Sequence, residues 1–416
     1  MSIPSPLSVS AGFLGWRVVG AAFAVMFFAY GLQFSFGVIA TGMGEDLGWS
    51  RAQTALPYSL YVFLYSALSA VTGHATDRFG PRAVIGAGAL LIGIGWGGSA
   101  LVSQPWHLTL SLGLVAAIGM SVAWVPCNAT VARWFTRRRG TAVALASTGA
   151  SLGNFLGPAL TAVMMQAWGW RVALATLAIV SALAILVASR FMLRDPESFG
   201  QWPDGDEVSP APHLLGGGLR VGDLWGDLRF QLVILIYFFT WLAIFVPFMH
   251  APSHARDLGL GDFVGASLLS AIGIGGMAGR LFTGSISDRF GRAPTLLAIC
   301  LLQAVSFLLF AGLREKSGLW LAALVFGVSY GGGVVLLPAL CGDLFGRAHV
   351  ASVVGVIFAV AGAPAAFGPW FAGWLYDLSG HYQGAFLFSA AVNGCAFLGT
   401  LLLAWHLRQR RLRDAI

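Results

Sequence analysis

Charged residues are scarce in this chain of 416 residues. Asp, Glu, Lys and Arg make up only 10% of it, whereas hydrophobic residues make up 57% and the mean hydropathy is +0.78. Soluble domains carry about 25% charged residues, so this composition does not supply enough polar side chains to cover a water-exposed surface. It excludes an ordinary soluble globular protein and favours one that lies in a lipid bilayer.

Aspartate, glutamate and lysine are absent from the interior of every long apolar stretch. A helix needs about 20 predominantly apolar residues to cross a bilayer. Stretches of that length predict twelve transmembrane helices, near residues 18–42, 53–72, 83–103, 107–132, 141–166, 171–193, 230–253, 262–286, 293–313, 319–342, 350–374 and 383–407. The predicted fold class is therefore all-α integral membrane.

Clusters of reactive side chains are also lacking. The four cysteines (Cys127, Cys300, Cys341 and Cys395) have no metal-ligand or redox spacing, and their apolar surroundings fit a packing role. No group of His, Asp, Glu and Cys lies together within the predicted spans. We therefore expect neither an enzyme nor a metal or cofactor site.

The net charge of +7 reflects membrane topology rather than nucleic-acid binding. Of the 24 Lys and Arg residues, only Arg51, Arg171, Arg256, Arg314 and Lys316 fall in segments predicted to lie outside. Such an excess of basic residues on one side marks the cytoplasmic face. The N-terminus also lacks the features of a removable signal peptide. These patterns predict a multi-pass protein of a bacterial inner (plasma) membrane, in contact with lipid, with both termini in the cytoplasm.

Arg280 is the one charge well inside an apolar span, the eighth (residues 262–286). A charge at the centre of a membrane helix costs roughly 3 kcal/mol on insertion scales, so such a residue points to a functional site. A guanidinium can hold a carboxylate through two parallel hydrogen bonds. Arg280 therefore indicates an anion site.

The chain is divided by a polar segment near its middle. Residues 195–228 contain several prolines, a triple glycine and seven of the 17 acidic residues, a composition typical of a linker. We expect an N-terminal six-helix bundle at 1–194, a cytoplasmic linker at 195–228 and a C-terminal six-helix bundle at 229–416.

One loop occurs in both halves. Residues 73–80 (GHATDRFG) follow the second span, and residues 284–291 (GSISDRFG) follow the eighth. Such duplication indicates an internal repeat. Because the acid and the arginine can pair with each other or with a neighbouring helix end, we expect the loops to control movement between conformations through Asp77, Arg78, Asp288 and Arg289.

Twelve spans in two repeated halves with this loop resemble the major facilitator superfamily over essentially the whole chain. Within it, residues 134–153 (WFTRRRGTAVALASTGASLG) resemble the fifth-span signature of the monocarboxylate transporter family, with Trp134, Phe135, Arg137 and Arg138 at its start. The first-span signature is only partly kept at 11–16, and residues 343–386 follow the family's spacing. Bacterial oxalate–formate exchangers share much of this pattern.

The resemblance implies two bundles around a cavity that opens alternately to each side, with Arg280 binding the substrate carboxylate. It also reveals two departures. The animal members have an aspartate one helical turn before this arginine, where this chain has Gly276, and a first-span lysine, replaced here by Gln33 or Phe34. Arg280 is therefore expected to recognise the substrate charge alone.

Further candidates come from polar and aromatic residues near the predicted cavity. A proton-coupling group must titrate near the operating pH, and with no carboxylate inside a span Asp257 and His250 are the candidates for it. Polar residues in spans hydrogen-bond either a ligand or a neighbouring helix, and Leu145 and Phe358 can form an apolar wall. The expected substrate-binding residues are thus Arg280, Tyr330, His250, Asn128, Asn154, Leu145, Phe358 and Tyr30.

Together these features predict a monomeric, proton-coupled carrier of short monocarboxylates such as L-lactate and pyruvate. Two alternatives stay open. A carboxylate exchanger of the oxalate–formate type would be favoured by a second cation in the cavity, and none is visible. A non-transporting carboxylate sensor would need a signalling domain or a long tail, whereas only nine residues follow 407.

Overall fold

The computed structural model describes residues 12–135, 138–206, 224–345 and 350–414, and this part of the chain is helical without any strand. Ten of its helices are long and apolar enough to cross a membrane, and a bent pair, Arg51–Ser69 and Val71–Phe79, adds an eleventh span. The longest helix, Arg139–Ser189, is interrupted at Gly169 (φ 75°, ψ 165°) and supplies two spans. The prediction of twelve spans is therefore confirmed.

In the first half the spans follow one another closely. The first is Gly15–Leu47, the second Arg51–Phe79 with a 46° bend, the third Pro81–Ser99 and the fourth Pro105–Trp134; the fifth (139–168) and sixth (170–189) are the two parts of Arg139–Ser189.

The second half repeats this arrangement after the linker. The seventh span is Leu228–Asp257, the eighth Asp262–Phe290, the ninth Arg292–Gly312, the tenth Lys316–Phe345, the eleventh Val350–Ala365 continued by Phe367–Ser379, and the twelfth Gln383–Asp414.

Two spans are broken just before a proline. In the fourth, regular helix resumes at Val125, followed by Pro126, and in the seventh it resumes at Val246, followed by Pro247. Proline lacks the N–H that would continue the hydrogen-bond ladder, so it fits best in the first turn of a helix, as Pro126 and Pro247 do here. Such breaks are tolerated in a membrane where neighbouring helices or a water-filled cavity satisfy the freed backbone groups.

Glycines let neighbouring spans approach to backbone contact. A Cβ added to Gly149 or Gly153 of the fifth span would overlap the carbonyl oxygens of Phe23 and Phe27 in the first span. Small residues at this spacing are the usual basis of close helix packing in lipid. The fifth-span segment that resembles the family signature therefore serves packing against the first span.

The same device joins the eighth and tenth spans of the second half. Gly279 lies against the carbonyl oxygen of Val328, and Gly331 lies against that of Gly276. Because no side chain lies between the helices at these two points, the eighth and tenth spans are held at a short and fixed separation. The helix that carries Arg280 is thus anchored to the helix that carries Tyr330.

The two membrane faces are distinguished by the segment between the halves. We call the face where the sixth span ends and the seventh begins the linker face, and the other the opposite face. The first span begins at the linker face, where the Leu14 N–H donates to Gln201 Oε1 at 3.0 Å. The Arg138 N–H donates to Asp204 Oδ1 at 3.2 Å, so the first part of the linker packs beneath the first half.

Several sequence predictions fall on residues outside the described ranges. These are the two chain ends (1–11 and 415–416), Arg137 in the fifth-span signature, most of the linker (207–223) and residues 346–349. The division into bundles at 195–228 stays a prediction.

Candidate substrate site

Arg280 lies on the eighth span, ten residues from its linker-face end, where that span faces the first half. Its Nη1 donates to the Ser147 carbonyl oxygen of the fifth span at 2.9 Å, and its Nε is buried without a hydrogen-bond partner. The guanidinium carbon lies 5.9 Å from the centre of the Tyr330 ring, within cation–π range. The cation is therefore held between the two halves with one donor unsatisfied.

Asn128 joins this cluster through Ser147. The Ser147 hydroxyl donates to Asn128 Oδ1 of the fourth span at 3.3 Å, while the Ser147 carbonyl accepts from Arg280. The sequence predicted both Asn128 and Arg280 as site residues. They are bridged by Ser147, which the sequence did not predict. Ser147 acts through its main-chain carbonyl, a group that every residue has, so no sequence signal marks it.

Aromatic side chains form a continuous wall beside Arg280. Tyr330 contacts Phe248 of the seventh span with ring centres 5.4 Å apart, and Phe248 contacts Phe34 of the first at 4.4 Å. Phe34 stacks on Tyr30 at 5.8 Å, and Tyr30 meets the Trp124 ring edge to face at 6.0 Å. The predicted residues Tyr330 and Tyr30 therefore lie on one aromatic surface that crosses both halves.

The remaining substrate candidates are distributed differently. Asn154 is buried in the fifth span with an unpaired Oδ1, and Gly273 of the eighth span packs against its backbone. Leu145 is 48% exposed. Phe358 of the eleventh span packs against Trp241 with ring centres 4.5 Å apart. No hydrogen bond or ring contact described for these three residues involves Arg280.

His250 lies in the interior of the second half. Its Nε2 is 2.7 Å from the Pro369 carbonyl oxygen and its Nδ1 is 3.1 Å from the Tyr382 hydroxyl. Because a carbonyl only accepts, Nε2 carries the proton, and Nδ1 accepts from Tyr382 when the imidazole is neutral. Burial raises the pKa of the Tyr382 hydroxyl, which keeps it protonated. These contacts tie the seventh span to the eleventh and do not reach Arg280.

Asp257 lies at the opposite face, where the halves meet. Its Oδ1 is 3.1 Å from Arg51 Nη2 at the start of the second span. Asp377 of the eleventh span accepts from the Arg51 and Ala52 N–H groups at 3.1 and 3.0 Å, and so caps that helix. A second pair between the halves, Arg256 with Glu45, lies nearby.

The two segments predicted as repeated loops are in fact the last turns of the second and eighth helices, which end at Phe79 and Phe290, and their acids pair with arginines outside the motif. Asp77 pairs with Arg133 at the end of the fourth span, and Asp288 pairs with Arg292 at 2.6 Å, which also holds Asp343 at 3.0 Å. Arg78 and Arg289 each lie over the phenylalanine that follows them, Phe79 and Phe290. In this conformation each loop is therefore tied within its own half.

Sequence reasoning missed Ser147, Arg51 and Asp377. Arg51 was predicted only as one of the basic residues outside the membrane, and Asp377 only as part of residues 343–386, whose spacing resembles the family. The sequence did contain a signal for this contact, because both charged residues lie at helix ends on the same membrane face. Arg51 begins the second span, and Asp377 lies near the end of the eleventh.

This arrangement can bind a small anion but shows no site for a metal. Within the described residues, no group of three or more His, Cys, Asp or Glu side chains can hold a metal ion. One cation, a few polar groups and an apolar wall are typical of a small-molecule site.

The sequence is also similar to those of known membrane transporters. The sequence model of the Major Facilitator Superfamily matches residues 21–363 and 282–415. Monocarboxylate transporter 11 of Homo sapiens is 32% identical over 400 residues, which cover 94% of this chain and 83% of that protein. Monocarboxylate transporter 13 of Bos taurus is 27% identical over 381 residues, covering 91% and 86%.

Solved structures share the fold at low identity. A D-xylose-proton symporter superposes with a TM-score of 0.74 at 16% identity, covering 94% of this chain and 97% of that one. The nucleoside transporter NupG gives a TM-score of 0.72 at 14% identity, covering 94% and 98%.

The fold and these relatives define a transporter of the major facilitator superfamily, with two six-helix bundles, and not an enzyme. Within that superfamily the chain belongs to the monocarboxylate transporter family.

Proposed function

We propose that this protein carries short monocarboxylates such as L-lactate and pyruvate together with a proton, as a monomer, across a bacterial inner membrane. The linker face and both chain ends then lie in the cytoplasm, as the excess of basic residues there favours. The observation that carries the proposal is the half-satisfied Arg280 guanidinium between the two halves.

A carboxylate complements the groups that Arg280 leaves open. Its two oxygens can accept from the unpaired Nε and from a terminal nitrogen, the two-point contact that guanidinium geometry favours. The Nη1 bond to the Ser147 carbonyl leaves this edge of the guanidinium free. Because Ser147 belongs to the other half, Arg280 would hold the anion and contact the first half at the same time.

The contacts between the halves support alternating access. Among the described residues, the two ion pairs that join them, Arg51–Asp257 and Arg256–Glu45, lie at the opposite face. The hydroxyls of Thr41 and Ser253 also meet there, at 2.9 Å. This conformation is closed at the opposite face, and separation of these contacts would open it as the halves rock.

Asp257 offers a route for coupling to the proton. A neutral carboxylic acid no longer pairs with a guanidinium, so protonation of Asp257 would weaken its ion pair with Arg51. Proton uptake would then favour opening of the opposite face. His250 lies seven residues before Asp257 on the same helical segment, Val246–Asp257, and its bond to Pro369 of the eleventh span would transmit changes between the two helices.

Uptake of labelled L-lactate into proteoliposomes, with and without an imposed pH gradient, tests the proposal. We expect the gradient to stimulate uptake and Arg280→Gln to abolish it. Arg314→Gln, an arginine at the opposite face outside this site, is the matched control and should transport normally. Uptake indifferent to the gradient but dependent on internal anion would favour exchange. Normal uptake by Arg280→Gln would refute the role of Arg280.

A further inference from the structure

A groove of about 620 Å³ runs between the first and sixth spans at the linker face. Its first-span side is formed by residues at positions i, i+3, i+4 and i+7, which share one face of the helix: Arg17, Gly20, Ala21 and Ala24. Gly20 borders open space, since an added Cβ would have no atom within 4 Å. Small residues thus leave a depression here instead of a packed helix contact.

The sixth-span side of the groove is entirely apolar. It is formed by two alanines and three larger residues that are each more than half exposed: Ala184 and Ala188, with Leu183, Val187 and Phe191. Because exposed apolar side chains of a span are stable against hydrocarbon and not against water, the groove opens toward the membrane. From Arg17 to Ala24 it extends about 10 Å along the helix, within the depth of one leaflet, about 15 Å.

Positive charge surrounds the linker-face end of this groove. Arg17 is exposed, and among the described residues no acid lies within ion-pair distance of it. At the end of the sixth span, Arg82 Nε donates to the Arg190 carbonyl oxygen at 2.8 Å, and both of these arginines are exposed as well. An apolar depression in the membrane therefore ends at unpaired cations at the membrane surface.

We infer that this groove binds one anionic phospholipid of the linker-face leaflet, with an acyl chain between the first and sixth spans and the phosphate on Arg17. Basic pockets between transmembrane helices bind anionic lipid headgroups. A guanidinium can donate two parallel hydrogen bonds to a phosphate. The small residues below Arg17 give the acyl chain a path along the first span.

Charge complementarity favours a lipid over a second copy of the chain. A copy lying side by side in the same membrane would bring its own linker face to the groove, and that face carries the excess of basic residues. Its arginines would repel Arg17, whereas a lipid phosphate is attracted to it. A zwitterionic phospholipid fills the groove equally well, but its ammonium group offsets the attraction. The site should therefore select lipids by headgroup charge.

The test titrates the purified protein in detergent with phosphatidylglycerol or with phosphatidylcholine of the same acyl chains. Native mass spectrometry gives the Kd of the first bound lipid. We expect wild type to bind phosphatidylglycerol about fivefold more tightly, the effect of roughly one arginine on an anionic lipid. Arg17→Gln should bring the two Kd values together. Gly20→Leu should weaken binding of both lipids, because its side chain occupies the path of the acyl chain.

Each variant has a matched control in the second half. Arg408→Gln removes an exposed arginine from the twelfth helix near the linker face. Gly394→Leu adds a leucine in the same helix, where an added Cβ likewise has no atom within 4 Å. Both controls should bind the two lipids as wild type does. Wild type alone provides a second measurement, since raising the salt concentration should screen Arg17 and reduce its preference for phosphatidylglycerol.

Three results would overturn the inference. The first is a preference for phosphatidylglycerol that is equal in wild type and Arg17→Gln, or that falls equally in Arg17→Gln and Arg408→Gln. The second is unchanged lipid binding by Gly20→Leu, which would exclude the groove as the site. The third is a wild type that is dimeric in the same spectra and a Gly20→Leu protein that is monomeric, which would identify a second copy as the occupant.

Discussion

Arg51 and Asp257 form an ion pair across the two halves of the molecule, with Nη2 and Oδ1 3.1 Å apart and only 16% and 27% of the two side chains exposed. The backbone N–H of the same arginine is held by Asp377. One helix start in the first half is therefore bound by two acids of the second half, from the seventh and eleventh spans.

Asp257→Asn is expected to favour opening of the opposite face, because the amide keeps the shape but loses the charge that attracts Arg51. A partly exposed pair contributes up to about 1 kcal/mol, which corresponds to about a fivefold shift in population. The rate at which a membrane-impermeant maleimide labels Thr41→Cys measures this opening, since Thr41 is buried beneath Ser253. Asp46→Asn is the control, because Asp46 pairs with Arg171 at 3.8 Å within the first half. Equal labelling rates in the two variants would contradict the prediction.

The same substitution tests proton coupling. If protonation of Asp257 releases Arg51, Asn mimics the protonated state at every pH. Stimulation of uptake by a pH gradient should then be largely lost in Asp257→Asn, while exchange of labelled for unlabelled lactate continues. Initial rates of both processes in one proteoliposome preparation provide the measurement. Full stimulation by the gradient in Asp257→Asn and in His250→Ala would exclude both residues as proton carriers.

Gly276→Asp is expected to weaken anion binding. A Cβ at Gly276 would have its nearest neighbours, the Tyr330 ring and the Gly327 carbonyl oxygen, at 3.7 Å, so a side chain fits. An aspartate one helical turn from Arg280 would compete with the substrate for the guanidinium. We expect the KM for lactate to rise about tenfold, as measured by the concentration dependence of uptake. Gly276→Asn controls for volume and should change the KM much less; an equal rise would attribute the effect to size.

Gly153→Ala is expected to destabilise the first half. Its Cβ would overlap the Phe27 carbonyl oxygen and force the first and fifth spans apart, and overpacking of this kind costs about 1–3 kcal/mol. Thermal unfolding in detergent should show a lowered Tm. Gly284→Ala has no atom within 4 Å of the added Cβ and should unfold at the wild-type temperature. A Gly153→Ala protein as stable as Gly284→Ala would contradict the backbone contact between these spans.

The sequence was sufficient to predict the class of fold and the central cation. Twelve apolar stretches and a repeated loop define the helices, and Arg280 stands out because charge inside a span is costly. The partner of Arg280 was not predictable, since the Ser147 carbonyl belongs to the main chain. The Arg51–Asp257 pair joins residues 206 positions apart, a contact that depends on how the halves are placed. Local patterns also suggested that each repeated loop could pair internally, whereas Asp77 and Asp288 bind Arg133 and Arg292.

The barrier at the opposite face is built partly from main chain. Gly37 of the first span lies directly against the Phe248 carbonyl of the seventh, and Gly373 of the eleventh lies against the backbone of Arg51 and Ala52. Exposed side chains change rotamer within picoseconds to nanoseconds. A contact between two backbones breaks only when whole helices move apart. A passage through this face therefore requires the slow motion of whole helices, the same motion that alternating access uses.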